Sequence, residues 1–210
     1  MSVRTTSLVA FTFVLSVIFL AGCGSSSEET FSKVKLDPDQ IAAEIMAEYD
    51  TDSDGEISKS ELKKSDGLSM LTSGQEMMQP EMRLDSDESG TISEAEFANK
   101  FRECFKSMRQ SYSCRVTYRG RPLPGATVTL VPESFMGDAP TASGETNEDG
   151  VCDVVGEDGL IGTVPGIYKI EVTHPEVKIP SKYNTAMTLG TALDTTNPYA
   201  QAGVPEIRLR

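Results

Sequence analysis

The sequence predicts an α+β protein of two domains, a helical domain followed by an all-β domain, preceded by a short apolar leader. Three observations support this prediction. Residues 8–20 are largely apolar. In residues 37–109 apolar side chains recur every three or four positions, which is the period of an amphipathic helix. In residues 112–210 they alternate with polar side chains between Gly and Pro, as in β-strands separated by turns.

Residues 1–22 have the features of a secretory signal peptide. Arg4 supplies a positive charge, and the apolar run 8–20 is shorter than a typical membrane-spanning helix. The leader ends in Leu-Ala-Gly followed by Cys23, which resembles the lipobox of bacterial lipoproteins. The resemblance implies that Cys23 is lipidated and becomes the new N-terminus, and that residues 23–36 form a flexible linker. An ordinary signal peptide with an incidental cysteine is the alternative.

The anchor and the charge define the expected partners of the chain. Lipidation of Cys23, followed by Gly24, implies attachment to a bacterial membrane, with the outer membrane as the default and either its periplasmic or its surface face. Residues 28–109 hold 20 acidic and 10 basic side chains, whereas residues 110–210 hold 12 and 8, and the whole chain has a net charge of -13. Nucleic acid is therefore not an expected partner, because it is a polyanion that binds Lys and Arg. Cations are the natural counterpart.

The helical domain is predicted to contain four helices. Asp37 is placed to cap a helix that runs through Tyr49, with Pro38 in its first turn. A short exit helix begins near Leu62 and ends at the cluster of residues 65–67. The third helix is predicted to be weak because Pro80 interrupts it. The fourth carries one apolar face, made of Phe97, Phe101, Cys104, Phe105 and Met108.

Two stretches of twelve residues, 50–61 and 85–96, share one pattern. Each has an oxygen-bearing side chain at positions 1, 3 and 5, glycine at 6, a branched apolar residue at 8 and glutamate at 12. This pattern resembles the calcium loops of the EF-hand family, and two such loops imply two bound Ca²⁺ ions. The residues at position 8, Ile57 and Ile92, are expected to pair as a short antiparallel ladder. A degenerate pair that keeps its shape without metal is the alternative.

The resemblance assigns a role to each loop position. Side-chain ligands are expected from Asp50, Asp52, Asp54 and Glu61 in the first loop, and from Asp85, Asp87, Ser89 and Glu96 in the second. Glu56 and Thr91 would bind through their backbone carbonyls, and Ser58 and Ser93 through water. The last two serines are also placed to cap the following helices, which is compatible with that role. Because Ser89 replaces a carboxylate, the second loop is expected to bind calcium more weakly.

Methionines are frequent in the helical domain and allow two interpretations. A Met-rich surface can form the target groove of a calcium sensor. Filling of gaps in the core is favoured instead, since these helices are short. The residues concerned are Met46, Met70, Met77, Met78, Met82 and Met108.

The second domain shows three motifs of one family. Residues 120–128, Gly-Arg-Pro-Leu-Pro-Gly-Ala-Thr-Val, resemble the opening motif of the carboxypeptidase regulatory-like module, a transthyretin-like β-sandwich. Residues 146–152 resemble its turn into a central strand, and residues 165–172 its late strand. The resemblance implies an accessory sandwich without a catalytic site. A long exposed loop, residues 185–203, is predicted before a final strand at residues 206–210.

The period of two along the strands places Cys114 with Val116 and Cys152 with Val154. Both cysteines therefore face the same interior, and a disulfide between Cys114 and Cys152 is the favoured prediction, which leaves Cys104 as a buried thiol. A bond between Cys104 and Cys114 is the rival, because sequence does not fix connectivity.

No catalytic pattern accompanies these features. His174 is the only histidine, and the sequence lacks the motifs of zinc peptidases, serine hydrolases and phosphate-binding loops. We therefore expect a calcium-binding, membrane-anchored, exported lipoprotein that is not an enzyme and has a structural or interaction role. One alternative is a calcium-dependent docking or adhesion module for an unidentified protein partner. Another is an accessory subunit of a secreted enzyme.

Overall fold

The computed structural model describes residues 35–199 and 203–210. The predicted signal peptide, Cys23 and most of the predicted linker lie outside these residues. A helical region is followed by a β-rich region, as the sequence predicts. Among the described residues, no helix is long and apolar enough to cross a membrane. The α-helices are α1 (Pro38–Tyr49), α2 (Lys59–Leu62), α3 (Asp66–Met70) and α4 (Glu94–Cys104).

Helix α1 forms where the sequence predicts it. The side chain of Asp37 accepts hydrogen bonds from the backbone N–H of Asp39 (3.1 Å) and Gln40 (3.4 Å), and Pro38 occupies the first position. These contacts satisfy donors that have no partner within the helix. Its buried face contains Ile41, Ala42, Ile45 and Tyr49.

The remaining helices agree only in part with the predictions. The short exit helix α2 ends at Leu62, and Ser65 then caps a further helix, α3, by accepting from Leu68 N–H (3.2 Å). Two 3-10 turns, Gln75–Met77 and Pro80–Met82, stand where the weak third helix was predicted. The apolar face of α4 is shorter than predicted, because the helix ends at Cys104 and Met108 is exposed.

The β-rich region contains two sheets that enclose one core. After β1 (Glu56–Ser58) and β2 (Thr91–Ser93) of the helical region, the strands are β3 (Ser113–Tyr118), β4 (Arg121–Pro122), β5 (Thr127–Pro132), β6 (Ala142–Glu145), β7 (Val151–Asp153), β8 (Val155–Gly156), β9 (Gly166–Thr173), β10 (Leu189–Leu193) and β11 (Glu206–Leu209). The five-stranded sheet has the order β10-β9-β5-β6-β8, and in the other sheet β3 lies between β11 and β4 and also pairs with β7. A further 3-10 turn, Ser134–Met136, follows β5, and another spans Ser181–Tyr183.

The prediction of an exposed loop over residues 185–203 is wrong. This segment contains β10, which pairs with β9 at the edge of the larger sheet and buries Ala192 and Leu193. The strand was not predicted because it contains Gly190, and glycine is uncommon in the interior of strands. The final strand, β11, is found where it was predicted.

The helical and β-rich regions share a hydrophobic core. Phe135, Met136, Ile167 and Ala192 of the β-rich region belong to the same buried cluster as Ile45 and Phe97 of the helices. Helix α3 lies against β10 at two glycines: a Cβ added to Gly190 would stand 2.4 Å from the backbone nitrogen of Gly67. The helices are therefore packed directly against the sheet.

Candidate metal centre

The two acidic loops meet through a short ladder. Strands β1 (Glu56–Ser58) and β2 (Thr91–Ser93) are antiparallel, and Ile57 lies opposite Ile92 as predicted. Both isoleucines are buried in the core of the helical region. The side chains of Glu56 and Thr91 are hydrogen-bonded across the ladder. The loops are thus fixed side by side, and each has its own cluster of carboxylates.

The first loop gathers Asp50, Asp52 and Asp54, with one oxygen of each within 4.8 Å of the others. Gly55, at φ +86°, turns the chain so that its N–H reaches Asp50 Oδ2 at 3.0 Å. The pKa of Asp52 is raised, first by partial desolvation and also by the neighbouring carboxylates of Asp54 and Glu61. The neighbouring carboxylates thus disfavour the charged form of Asp52.

The second loop gathers Asp85, Asp87 and Glu96 within the same limit of 4.8 Å. Asp87 accepts a hydrogen bond from Ser89 N–H (3.0 Å), and hydrogen bonds from the Ser89 hydroxyl and backbone lower the pKa of Asp87. Asp85 Oδ2 accepts from Gly90 N–H at 3.0 Å, but its Oδ1 is buried and accepts no hydrogen bond from any described residue. A buried carboxylate oxygen without a donor favours a cation.

The glutamates at position 12 close both loops in the same way. Glu61 Oε1 accepts from the N–H (2.7 Å) and hydroxyl (2.8 Å) of Thr51, and its Oε2 accepts from those of Ser58 (2.9 and 2.8 Å). These hydrogen bonds lower the pKa of Glu61 to about 2. Glu96 makes the equivalent bonds to Ser86 and Ser93.

The two position-12 glutamates differ in their relation to the other carboxylates. Glu96 belongs to the second carboxylate group, whereas Glu61 is not a member of the first. Both glutamates accept four hydrogen bonds, so the number of hydrogen bonds does not account for this difference. All three predicted carboxylate ligands of the second loop therefore lie together, whereas three of the four predicted for the first loop do.

The serines at position 9 act as helix caps. Ser58 and Ser93 each accept a hydrogen bond from the backbone N–H of the glutamate three residues later, which completes a capping box before α2 and before α4. Ser89 Oγ contacts the carbonyl oxygen of Thr91 at 3.2 Å. The capping role of Ser58 and Ser93 is therefore observed, and the binding of calcium by these two serines through water stays a prediction.

Sequence reasoning missed the residues at position 2. Thr51 and Ser86 each supply a backbone N–H and a hydroxyl to the position-12 glutamate of their own loop. Lys64 Nζ in turn donates to Thr51 Oγ1 at 2.7 Å. The recurrence of a hydroxyl residue at position 2 of both loops was the signal that could have identified them.

The chemistry of both groups suits a hard divalent cation. All the side chains that converge are carboxylates, and Ca²⁺ is bound by six to eight oxygens at roughly 2.3–2.6 Å. Within the described residues no cysteine or histidine joins either group, so the soft and nitrogen ligands typical of zinc or copper sites are not brought to them. The residues present fit calcium.

Comparison with known proteins identifies one part of the chain. The EF hand family model matches residues 41–64, which span most of α1, the first loop and α2. No protein with a curated description and no solved structure matches the chain. Residues 38–70 are thus a helical EF-hand region, and the match supports calcium binding by the first loop. The resemblance of residues 112–210 to the carboxypeptidase regulatory-like module stays a prediction.

Proposed function

We propose that this chain binds two calcium ions and uses them to brace the helical region against the β-rich region, without catalysing a reaction. One observation carries the proposal: the ladder of β1 and β2 joins two loops that each contain a cluster of carboxylates. In the second cluster, Oδ1 of Asp85 is buried and accepts no hydrogen bond from any described residue. Like charges held this close repel one another, and a cation removes that repulsion. Calcium would therefore stabilise the folded chain by binding to it.

The first loop is connected to the β-rich region by the residues that flank it. Tyr49, which directly precedes the loop, packs edge-to-face on Phe135 with 6.2 Å between ring centroids. Ser65, after α2, donates to the buried carboxylate of Glu133 at 3.2 Å, and Lys169 pairs with the same carboxylate at 2.9 Å. Calcium that orders the first loop would therefore also restrain β5 and β9 through these contacts.

The second loop is connected through helix α4. Lys100 lies one turn after Glu96 and pairs with Asp194 at 2.8 Å, where the two side chains are 4% and 0% exposed. Lys100 also donates to Thr196 Oγ1 at 2.6 Å. Ahead of the loop, Asn197 Nδ2 donates to the carbonyl of Ser73 at 2.8 Å. The chain after β10 therefore contacts α4, which follows the second loop, and also the segment after α3.

Calcium titration by calorimetry tests the proposal on residues 24–210, which include every described residue. We expect two binding events, of which Glu61→Gln and Glu96→Gln each remove or weaken one. Glu94→Gln is the matched control, since it removes the same charge from α4 only two positions from Glu96. Absence of calcium heat at millimolar concentrations would contradict calcium binding altogether.

The bracing role has a separate readout. Thermal unfolding followed in the β-rich region should shift upward with calcium together with unfolding of the helices, because the two regions share one core. If calcium raised the melting temperature of the helices alone, the ions would bind without bracing the strands.

Calcium-dependent docking of a protein partner is the second candidate function. Its support is the exposure of Met77 (57%) and Met82 (50%) on the two turns ahead of the second loop. Against it, Phe135, Met136 and Ile167 of the same chain already cover the apolar face of the helices. Capture of partners with and without a chelator distinguishes the two functions, and Met77→Ser with Met82→Ser should abolish capture only if docking is correct.

Export and anchoring complete the proposal and rest on the sequence. We propose that Cys23 carries a lipid that holds the chain at a bacterial membrane, by default the outer membrane. Mass spectrometry of the N-terminal peptide from membrane fractions tests this directly. Cys23→Ser should move the chain to the soluble fraction, and an unmodified Cys23 in membrane-bound protein would contradict the anchor.

A further inference from the structure

Two buried thiols face each other in the core of the β-rich region. Cys114, at the second position of β3, lies directly opposite Cys152, the middle residue of β7. Their Sγ atoms are 3.5 Å apart, and the residues are 0% and 4% exposed. A buried cysteine by itself behaves as a small apolar residue. Placement of two on opposite positions of one ladder brings their side chains to the separation from which a disulfide forms.

The third described cysteine has a different environment. Cys104 Sγ contacts Asp194 Oδ1 at 3.2 Å, beside the buried ion pair with Lys100. Burial, together with this carboxylate, raises the pKa of Cys104 to about 12. The geometry therefore separates the two pairings that the sequence left open, because Cys114 faces Cys152 at 3.5 Å and Cys104 has a polar partner.

We propose that Cys114 and Cys152 form a disulfide that joins β3 to β7. The reaction is an exchange with a disulfide-bearing acceptor, such as oxidised glutathione or an oxidised dithiol enzyme. One cysteine thiolate attacks the acceptor disulfide, breaks its S–S bond, releases one acceptor thiolate and forms a mixed disulfide with the other acceptor sulfur. The second cysteine thiolate then breaks the mixed disulfide and releases that sulfur. The two cysteines lose two protons and two electrons and gain one S–S bond, and the acceptor takes up both and ends as two thiols.

The bond has a defined time of formation. Thiolate is the attacking species, and it must reach the sulfur of the acceptor. In the folded chain both cysteines are buried, so an acceptor disulfide does not reach either sulfur. Exchange takes place while β7 is still exposed, and in the closed core the sulfurs need to approach only from 3.5 Å to about 2.05 Å.

The disulfide would lie where the chain passes from one sheet to the other. Strand β7 is held to β3 by three residue pairs, and Cys114–Cys152 is the middle one. Directly after β7 the chain crosses to the other sheet, where β8 pairs with β6. A disulfide at this point fixes the crossing between the sheets. Disulfides persist in oxidising compartments, so the bond is also an indication of export that is independent of residues 1–22.

Peptide mapping by mass spectrometry tests the proposal on the full chain, recovered from an exporting bacterial host and alkylated under denaturing conditions without reductant. We expect the peptides of Cys114 and Cys152 to be linked and Cys104 to be alkylated. Cys104→Ser should leave the link intact. Alkylation of Cys114 and Cys152 in the wild type, or a link through Cys104, would overturn the proposal.

Refolding tests the timing. Denatured reduced chain refolded with reduced and oxidised glutathione should form the link, while chain folded first in reductant and then given oxidised glutathione should acquire it at least tenfold more slowly. Equal rates would overturn the proposed order of events. The linked chain should melt about 10 °C above the same chain in reductant, and the double variant Cys114→Ala with Cys152→Ala should lose that difference. A difference that persists in the double variant would show that the link does not stabilise this crossing.

Discussion

The two acidic loops have nearly the same internal structure, but different segments of the chain hold each loop in position; these segments are called its supports. Each has a glycine at position 6, a capping box at positions 9 and 12, and a glutamate that binds the residue at position 2. The first loop follows the twelve-residue helix α1, whereas the second follows the short turn Pro80–Met82. Since the two loops share one shape despite this difference, that shape is encoded within the twelve residues, whereas the position of the loop can be fixed by a helix or by distant segments.

The supports also differ in chemistry. Near the first loop, α3 lies on β10 through the close approach of Gly67 and Gly190, where backbone meets backbone. Near the second loop, α4 is held by the buried pair of Lys100 and Asp194. A backbone contact tolerates no added atom, and a buried ion pair tolerates no missing partner. Substitutions at these positions therefore test each support separately.

The largest effect is expected from Lys100→Met, which leaves Asp194 buried without its cation. The free energy of unfolding should fall by about 3–5 kcal/mol, and calcium binding at the second loop should weaken more than at the first. Denaturant unfolding and calorimetry measure the two effects. Lys106→Met, which breaks the exposed pair with Glu103, is the control and should change stability by about 1 kcal/mol or less. Equal losses in the two variants would show that the buried pair is not a support.

Gly190→Val should have the next largest effect. The first added carbon would stand 2.4 Å from the backbone nitrogen of Gly67, so α3 must move away from β10. We expect a loss of about 3 kcal/mol in the free energy of unfolding, measured by chemical denaturation. Ser143→Val, at an exposed position of β6, is the control and should remain within about 0.5 kcal/mol. An unchanged stability of the Gly190 variant would contradict close packing of the two regions.

The smallest effect concerns the loops themselves. Ser89→Asp gives the second loop the carboxylate that the first loop has at position 5. The calcium affinity of the second loop should rise about tenfold, because a negative charge next to a bound cation contributes about 1 kcal/mol or more. The measurement is made by calorimetry in the Glu61→Gln background, so that only the second loop binds. The reciprocal Asp54→Ser should weaken the first loop. If neither substitution changes affinity, the number of carboxylates does not set the difference between the loops.

Local features of the structure were predictable from the sequence because their causes lie within a few residues. Asp37 and Pro38 start α1, Ser58 and Ser93 cap the helices that follow the loops, and Ile57 pairs with Ile92. Pro80 correctly indicated that the third helix would be weak. The approach of three carboxylates in each loop follows from spacing, and so does the shared interior of Cys114 and Cys152.

Errors arose where burial depends on a distant partner. Residues 189–193 contain a glycine and follow a polar stretch, so they resembled a loop, yet α3 and β9 bury them as a strand. Met108 fits the period of α4 but stands beyond its end and is exposed. The contacts of Lys100 with Asp194 and of Ser65 with Glu133 join residues far apart in the chain, which no local pattern relates.

Local sequence accounts for the two oxygen-rich loops, the caps that flank them and the change from a helical to a strand period. Spacing within a segment fixes which side chains share a face or a turn. Packing of distant segments places α3 on β10, pairs Lys100 with Asp194 and sets Cys152 opposite Cys114. The reason is physical, since these contacts depend on how complementary surfaces of distant segments pack, and packing is a property of the whole core.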